Sequence, residues 1–172
     1  MKSSPTPRDL LDRRDHINRE RNAKVQLELR MVLYAYSSKQ MILCSTTGIS
    51  EAGEPVSLPF DVANEELGAI ALAKLLETDL NPAPLYSEHG LAHWRAYSVS
   101  GAKTGRSFEE SSVYVSIQTV NTALRVEAGP RKSVSGLYVG RTHSLTVDPE
   151  ELGASIRSLL SAIELLGRHD AL

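Results

Sequence analysis

The chain contains a single cysteine, Cys44. One cysteine makes no intramolecular disulfide and builds no cysteine-based metal site. It lies in the apolar run Met41-Ile42-Leu43-Cys44. A thiol there reads as a small buried hydrophobe rather than a nucleophile. Long hydrophobic runs are also missing. MVLYAY at 31–36 is among the longest, whereas a helix needs about 20 apolar residues to cross a bilayer. The N-terminus has no hydrophobic signal core, so the expected setting is the reducing cytoplasm, with no membrane partner. Excess charge is absent as well: 19 Lys+Arg stand against 21 Asp+Glu, for a net charge of −2.

Catalytic motifs are absent in the same way. Gly101-Ala-Lys-Thr-Gly105-Arg106-Ser approaches a phosphate-binding loop. It has three residues between its glycines where the motif needs four, and Arg106 where the motif needs lysine. Gly48-Ile-Ser50-Glu-Ala-Gly53 approaches a nucleophile elbow, but its second glycine comes one position late. His89 and His93 are four apart beside Glu88, the spacing of two ligands on one helical face. A zinc site needs three or four ligands, and His16, His143 and His169 are scattered. No Ser-His-Asp set follows from spacing alone. The expectation is a binding protein, not an enzyme, with no metal and no cofactor.

What is present is a core-forming composition. Hydrophobic residues are 41% and charged residues 23% of 172, which suits one packed domain. The charge is unevenly spread. Residues 1–24 hold seven Lys/Arg against four Asp/Glu, and the remainder holds twelve against seventeen. Residues 1–24 are therefore expected to be a charged leader, an exposed marginal helix or a disordered arm with only Leu10, Leu11 and Ile17 to bury. Residues 25–172 are expected to form a single α+β domain. Its mildly acidic balance suits a basic protein partner better than nucleic acid.

From Val25 the pattern alternates. VQLELRMVLYAY predicts a half-buried strand, SSKQ a turn, MILCST a second strand and VSLPF a third. Pro59 places the third at a sheet edge or strand end. The segment GISEAGEP reads as a loop, as does GAKTGRSFEESS. EHGLAHWRAY predicts a short helix with Leu91 and Trp94 facing inward. SVYVSIQTV and TALRVEAG predict two strands joined across Val120-Asn121, and GLYVG and SLTV two short ones with Arg141–His143 between them.

The tetrapeptide Glu-Glu-Leu-Gly occurs twice, at 65–68 and 150–153. Each copy opens an amphipathic helix. Asp61 or Asn64 is positioned to cap the first, whose apolar face is Leu67, Ile70, Ala71 and Leu75. Asp148 caps the second, with Pro149 at its first position and Leu152, Ile156, Leu159, Leu160, Ile163 and Leu166 on one face. Strands followed by a capped helix thus occur twice. The expected fold is a curved antiparallel sheet covered by two main amphipathic helices. Gly68 and Gly153 fall inside these helices, where glycine costs about 1 kcal/mol relative to alanine. Close approach to the sheet or to the other helix would account for them.

The order of these pieces resembles the immunity proteins of bacterial contact-dependent growth inhibition. The pieces are LYAYSSKQMILCSTTG, ANEELGAIALAKLL, AHWRAYSVSGAK and VSGLYVGRTHSLTVDPEELGASIRSLLSAI, spread over residues 28–166. The resemblance implies a cytoplasmic inhibitor that binds, one to one, the toxic C-terminal domain of a delivered effector, often a nuclease. It also implies a fold related to the Whirly single-stranded nucleic-acid-binding fold. That relation keeps a nucleic-acid-binding module open as the alternative. For the inhibitor, the candidate toxin-binding residues are Glu109 and Glu110, on a loop anchored by Phe108, together with Tyr97.

Overall fold

The computed structural model describes residues 5–21, 27–47, 50–78, 94–130 and 138–168. Six antiparallel strands form one open sheet. They are β1 (Arg30–Tyr36), β2 (Gln40–Thr47), β3 (Ser50–Pro59), β4 (Ser112–Val120), β5 (Ala123–Pro130) and β6 (Val139–Ser144). The spatial order is β3-β2-β1-β4-β5-β6. The α+β expectation holds. Each half of the sheet is a meander of three consecutive strands, and each meander is followed by a helix: α2 (Asn64–Leu76) and α5 (Pro149–Arg168). Two short helices, α3 (Arg95–Ser100) and α4 (Gly105–Glu110), lie between the halves in sequence.

The two halves meet at β1 and β4, where Val32 pairs with Ser116 and Tyr34 with Tyr114. A pseudo-two-fold axis through this seam relates the meanders and their helices. The repeated glycines lie where the helices cross. A Cβ on Gly68 would lie 1.9 Å from the Pro149 carbonyl oxygen, and one on Gly153 would lie 2.0 Å from that of Asn64. Each glycine is the fifth residue of its helix and meets the first residue of the other. Of the two expected accounts of these glycines, close approach to the other helix is the one found. The crossing also brings two helix N-termini together. Glu65, Glu66, Glu150 and Glu151 fall in those first turns, where carboxylates offset the paired dipole ends.

The main core lies between the sheet and α2 and α5. Met31, Leu33, Met41, Leu43, Val115, Ile117, Leu124 and Val126 meet Leu67, Leu75, Leu152, Ile156 and Ile163 there. A third helix, α1 (Pro7–Arg21), joins this layer. Its Leu10 and Ile17 are fully buried in the same core. The helical alternative for this segment is therefore the one found, and the helix is docked, not exposed. Its polar face explains why. Arg13 donates from Nε to the Leu76 carbonyl at 3.1 Å and from Nη2 to that of Thr78 at 2.7 Å, covering carbonyls at the end of α2. Arg14 reaches the Asn121 carbonyl in the β4–β5 turn and pairs with Glu28. At its start, Thr6 and Asp9 cap each other reciprocally.

Several local expectations change. Asp148 caps α5 as expected, accepting from Glu151 N–H at 2.8 Å. The cap of α2 is Ala63, with no side-chain bond, and Asn64 instead donates to Glu150 across the helix crossing. The GISEAGEP loop is largely strand. β3 begins at Ser50 and uses Gly53 at a positive φ of 65°. It does lie at the sheet edge with Pro59 at its end. The expected break at Arg141–His143 is the body of β6, and Leu145–Val147 leads into the helix. The turn at Ser37–Lys39 and the hairpin turn at Asn121 are as expected, with positive φ at Ser37, Ser38 and Asn121.

Candidate functional site

Even-numbered residues of β1 and β2 point away from the main helices. They are apolar here: Val32, Tyr34, Ile42 and Cys44. Such a face needs a cover, and α3 and α4 supply it with Trp94, Ala96 and Phe108. This is why β1 is buried on both faces, not one as its alternation suggested. The rings interlock around Phe108. Its centroid lies 4.9 Å from Trp94 in an edge-on contact and 5.3 Å from Tyr34. Such pairs add about 0.5–1.5 kcal/mol each beyond their buried area.

A buried carboxylate ties this cap to the sheet. Glu51 of β3 accepts from the Trp94 indole N–H at 2.9 Å and from the Ala96 N–H, in the first turn of α3, at 2.9 Å. Arg95 donates to the Gly53 carbonyl at 2.7 Å. Beneath it, Lys74 is buried and donates to the Glu54 carbonyl and the Glu77 carboxylate, each at 2.6 Å. Burial first, then the neighbouring Glu51 carboxylate, push the Cys44 thiol far above its usual range. The cysteine is thus an inert core residue, as its apolar run suggested.

The four residues named from the sequence all fall on this cap. Phe108 is 0% exposed. It anchors its segment and has no surface to offer a partner, so its place among contact residues is withdrawn. Tyr97 is half-buried, its ring 6.1 Å from those of Trp94 and Phe108. Glu109 is half-buried and Glu110 exposed, the latter bonded to Arg106 at 2.8 Å. The segment carrying them is the helix α4, not a loop. A reciprocal box of Thr104 and Ser107 starts it. A Thr-x-x-Ser pair just before an aromatic was the available signal, and it was missed because glutamate or glutamine usually fills the last position. Trp94 faces inward as expected. His89, His93 and Leu91 lie outside the described residues.

Next to Glu110 opens a cleft of about 430 Å³. Its floor is the Ala35–Val113 pair of the central strands, with Leu160 and Ile163 of α5 beside it. Its rim holds Ser37 and Ser38 of the β1–β2 turn, Glu110, Ser161 and Glu164. Arg157 also lines it. The Arg157 guanidinium, however, donates to the Phe60 and Val62 carbonyls and to Asn64. It locks the β3–α2 connection to α5. The cleft therefore joins an apolar floor to an acceptor-rich, acidic rim.

Among the described residues, an arrangement resembling a catalytic set lies elsewhere. His143 of β6 places Nε2 2.9 Å from the Ser155 hydroxyl and Nδ1 3.3 Å from the Glu151 carboxylate. Ser155 is only 3% exposed and does not line the cleft. A nucleophile needs room for the atom it attacks. This trio fastens α5 to the edge strand. Among the described residues no group of three or more His, Cys, Asp or Glu is placed to hold a metal ion. No helix among them is long and apolar enough to cross a membrane.

No family model matches the chain, and no curated protein matches it. Solved structures do. A chain of the CdiA-CT/CdiI toxin and immunity complex from Yersinia pseudotuberculosis superposes with a TM-score of 0.60 at 16% identity. The match covers 80% of this chain and 98% of that one. A protein of unknown function from Neisseria meningitidis superposes with a TM-score of 0.58 at 22% identity, covering 79% of this chain and 95% of that one. At these identities the likeness is one of fold. The architecture built from the two Glu-Glu-Leu-Gly helices is one that a component of a toxin–immunity complex also has.

Proposed function

We propose that this chain is an immunity protein. It binds the toxic C-terminal domain of a contact-dependent growth inhibition effector in the cytoplasm, one to one, and neutralises it without a chemical step. The observation that carries this reading is the fold likeness to a component of a toxin–immunity complex, which extends over nearly all of that component. The ordered sequence pieces over 28–166 support it independently of the fold. The mechanism is occlusion. An acidic body steers onto a basic face, and a nuclease active site is such a face. Protection against a toxin that acts catalytically calls for nanomolar or tighter binding, on the order of −12 kcal/mol.

Two features suit the role. The α3–α4 cap presents Tyr97, Glu109 and Glu110 on a rigid aromatic base, so little side-chain freedom is lost on binding. The cleft beside it has the apolar floor and acidic rim that a basic partner fits. A nucleic-acid-binding module is the rival. The sheet face away from the main helices carries cations, but Arg30 bonds to Tyr114 and Ser116, and Arg125 pairs with Glu127 at 2.5 Å. Those contacts leave less positive charge for phosphates.

The test is co-expression. The C-terminal domain of the protein encoded immediately upstream is induced with and without this chain, and surviving cells are counted. Killing that this chain reverses is the expected result. A harmless upstream domain removes the proposal, and a salt-sensitive shift of labelled oligonucleotides would then support the rival. Within a confirmed pair, replacing Glu109 and Glu110 with lysine should slow association about tenfold at low salt. Unchanged association would take the α4 end out of the interface.

A further inference from the structure

The helix α3 cannot hold itself. It is six residues long, and isolated helices this short are not stable. Its N-cap residue, Trp94, makes no side-chain cap. The acceptor comes instead from 45 residues away in sequence. Glu51 Oε2 accepts from the Ala96 N–H at 2.9 Å. Ala96 is the second residue of α3, a position that a capping oxygen ordinarily serves. A carboxylate also suits the positive end of the helix. The other end is held in the complementary sense. Gly101 closes it with a left-handed φ of 71°. Gln40 of β2 donates from Nε2 to the Ser100 carbonyl at 2.7 Å, and its Oε1 accepts from the Ser57 hydroxyl at 2.9 Å. An acceptor from β3 thus meets the amino end of α3, and a donor from β2 meets the carboxyl end.

Of these contacts, the one from Glu51 decides where the roof sits. Apolar contact among Trp94, Phe108 and Tyr34 is largely non-directional. The hydrogen bonds of a carboxylate are directional. Glu51 is 7% exposed, and a carboxylate at that depth is costly to leave without donors. Its two oxygens take two N–H groups of one segment, Oε1 that of the Trp94 indole and Oε2 that of the Ala96 backbone. Both bonds form together only with α3 at one height and one rotation over the sheet. The strand beneath is shaped for this. β3 shifts register against β2 between Leu43 and Ser45. There the Gly53 and Glu54 carbonyls accept from Arg95 and Lys74. Position then passes outward from α3. Tyr97 follows Ala96 directly, and only 101–104 separate α3 from α4, which carries Glu109 and Glu110.

We propose that Glu51 is the positioning residue of the roof: it caps α3 from the edge strand and so holds Tyr97, Glu109 and Glu110 where the toxin domain meets them. The inference rests on the reading of the chain as an immunity protein that binds through α3 and α4. It adds to that reading the buried group on which the contact surface depends.

The chain carries its own probes of the roof. Trp94 is its one tryptophan and Cys44 its one cysteine, and both belong to the cluster between sheet and roof. The experiment uses the full chain, alone and with the purified C-terminal domain of the upstream-encoded protein. Labelling of Cys44 by a thiol reagent and Trp94 emission are read on the chain alone, and affinity is read by calorimetry. Glu51→Ala removes both acceptors. Glu51→Gln keeps one, and serves if the alanine variant does not fold. Ile17→Ala loosens the main core on the opposite face of the sheet and is the control for a general loss of stability. Thermal melts establish that each variant is folded. For Glu51→Ala, Cys44 should label about tenfold faster, as a locally opened cover allows, and Trp94 emission should move to longer wavelength. Its affinity should fall about tenfold, the loss of a well-placed contact. Glu51→Gln should lie between Glu51→Ala and wild type, and Ile17→Ala should bind like wild type. Wild-type labelling and emission in the folded Glu51 variants overturn the assignment. Faster labelling with unchanged affinity overturns the link from roof to toxin and leaves the proposed function standing. An equal loss of affinity in Ile17→Ala does the same. No binding by the wild-type chain overturns both.

Discussion

The two halves of the molecule share a plan and differ in what covers them. The first half, β1-β2-β3-α2, has α1 docked against the end of its helix and its outer face roofed by α3 and α4. The second half, β4-β5-β6-α5, keeps an open cleft beside α5. Its outer face is polar among the described residues, with Arg125, Thr142 and Ser144 exposed there. The lesson is a division of labour within a doubled fold. One copy of the unit is closed by additional elements and contributes rigidity. The other keeps a cleft open beside its helix.

The comparison is open to attack at several points. The largest effect is expected at the roof. Phe108→Ala should cost about 3–5 kcal/mol, because it empties the centre of the aromatic cluster. A loss under about 1 kcal/mol in urea unfolding would mean that α3 and α4 are not an integral cover. Next are the crossing glycines. Gly68→Ala and Gly153→Ala each drive a methyl group into the other helix's backbone, and each should cost about 3 kcal/mol despite alanine's better helix propensity. Costs that differ by more than about 1 kcal/mol would show that the two-fold likeness is not energetic. The docked helix α1 comes third. Ile17→Ala should cost about 2–3 kcal/mol, whereas the exposed Leu165, in the last turns of α5, should give less than about 0.5 kcal/mol on truncation to alanine. Equal values would erase the contrast between the halves.

The smallest effect is at the start of α1. Hydrogen bonds from the Thr6 side chain and then its backbone hold the Asp9 carboxyl below its ordinary pKa. A depressed carboxylate supports the folded form above its unfolded value and loses that support as pH falls through the folded one. Amide exchange in the first turn of α1 should therefore quicken in acid, relative to that of α5. Exchange independent of this range would deny Asp9 a capping role.

Much of this was legible in the sequence because it is periodic or punctuated. The helix faces of α2 and α5, the Asp148 cap, the turns at Ser37–Lys39 and Asn121, and a reason for Gly68 and Gly153 all follow from spacing and turn chemistry. What was not legible depended on distant partners. Leu10, Leu11 and Ile17 looked too few to hold a helix. The bonds from Arg13 to Leu76 and Thr78, and from Arg14 to Asn121, join segments that no local pattern connects. Glu51 gave no sign that it would accept from Trp94 and Ala96. The cleft had no motif at all, since it arises from strands and a helix of both halves. Phe108, named as the anchor of its segment, is buried under the roof and not on the surface beside Glu109 and Glu110. Aromatic type does not say which side of a sheet is roofed.

The helix crossing also bears on when the protein becomes able to act. Gly68 has its place only against Pro149, and Gly153 only against Asn64. Neither helix can complete its packing until the chain has been made through α5. Contacts this far apart in sequence slow folding and make it wait for α5. A ribosome partway through the message therefore carries three strands and a helix whose crossing partner is missing. The layer of α2 and α5 is therefore completed in one step, once α5 has been made.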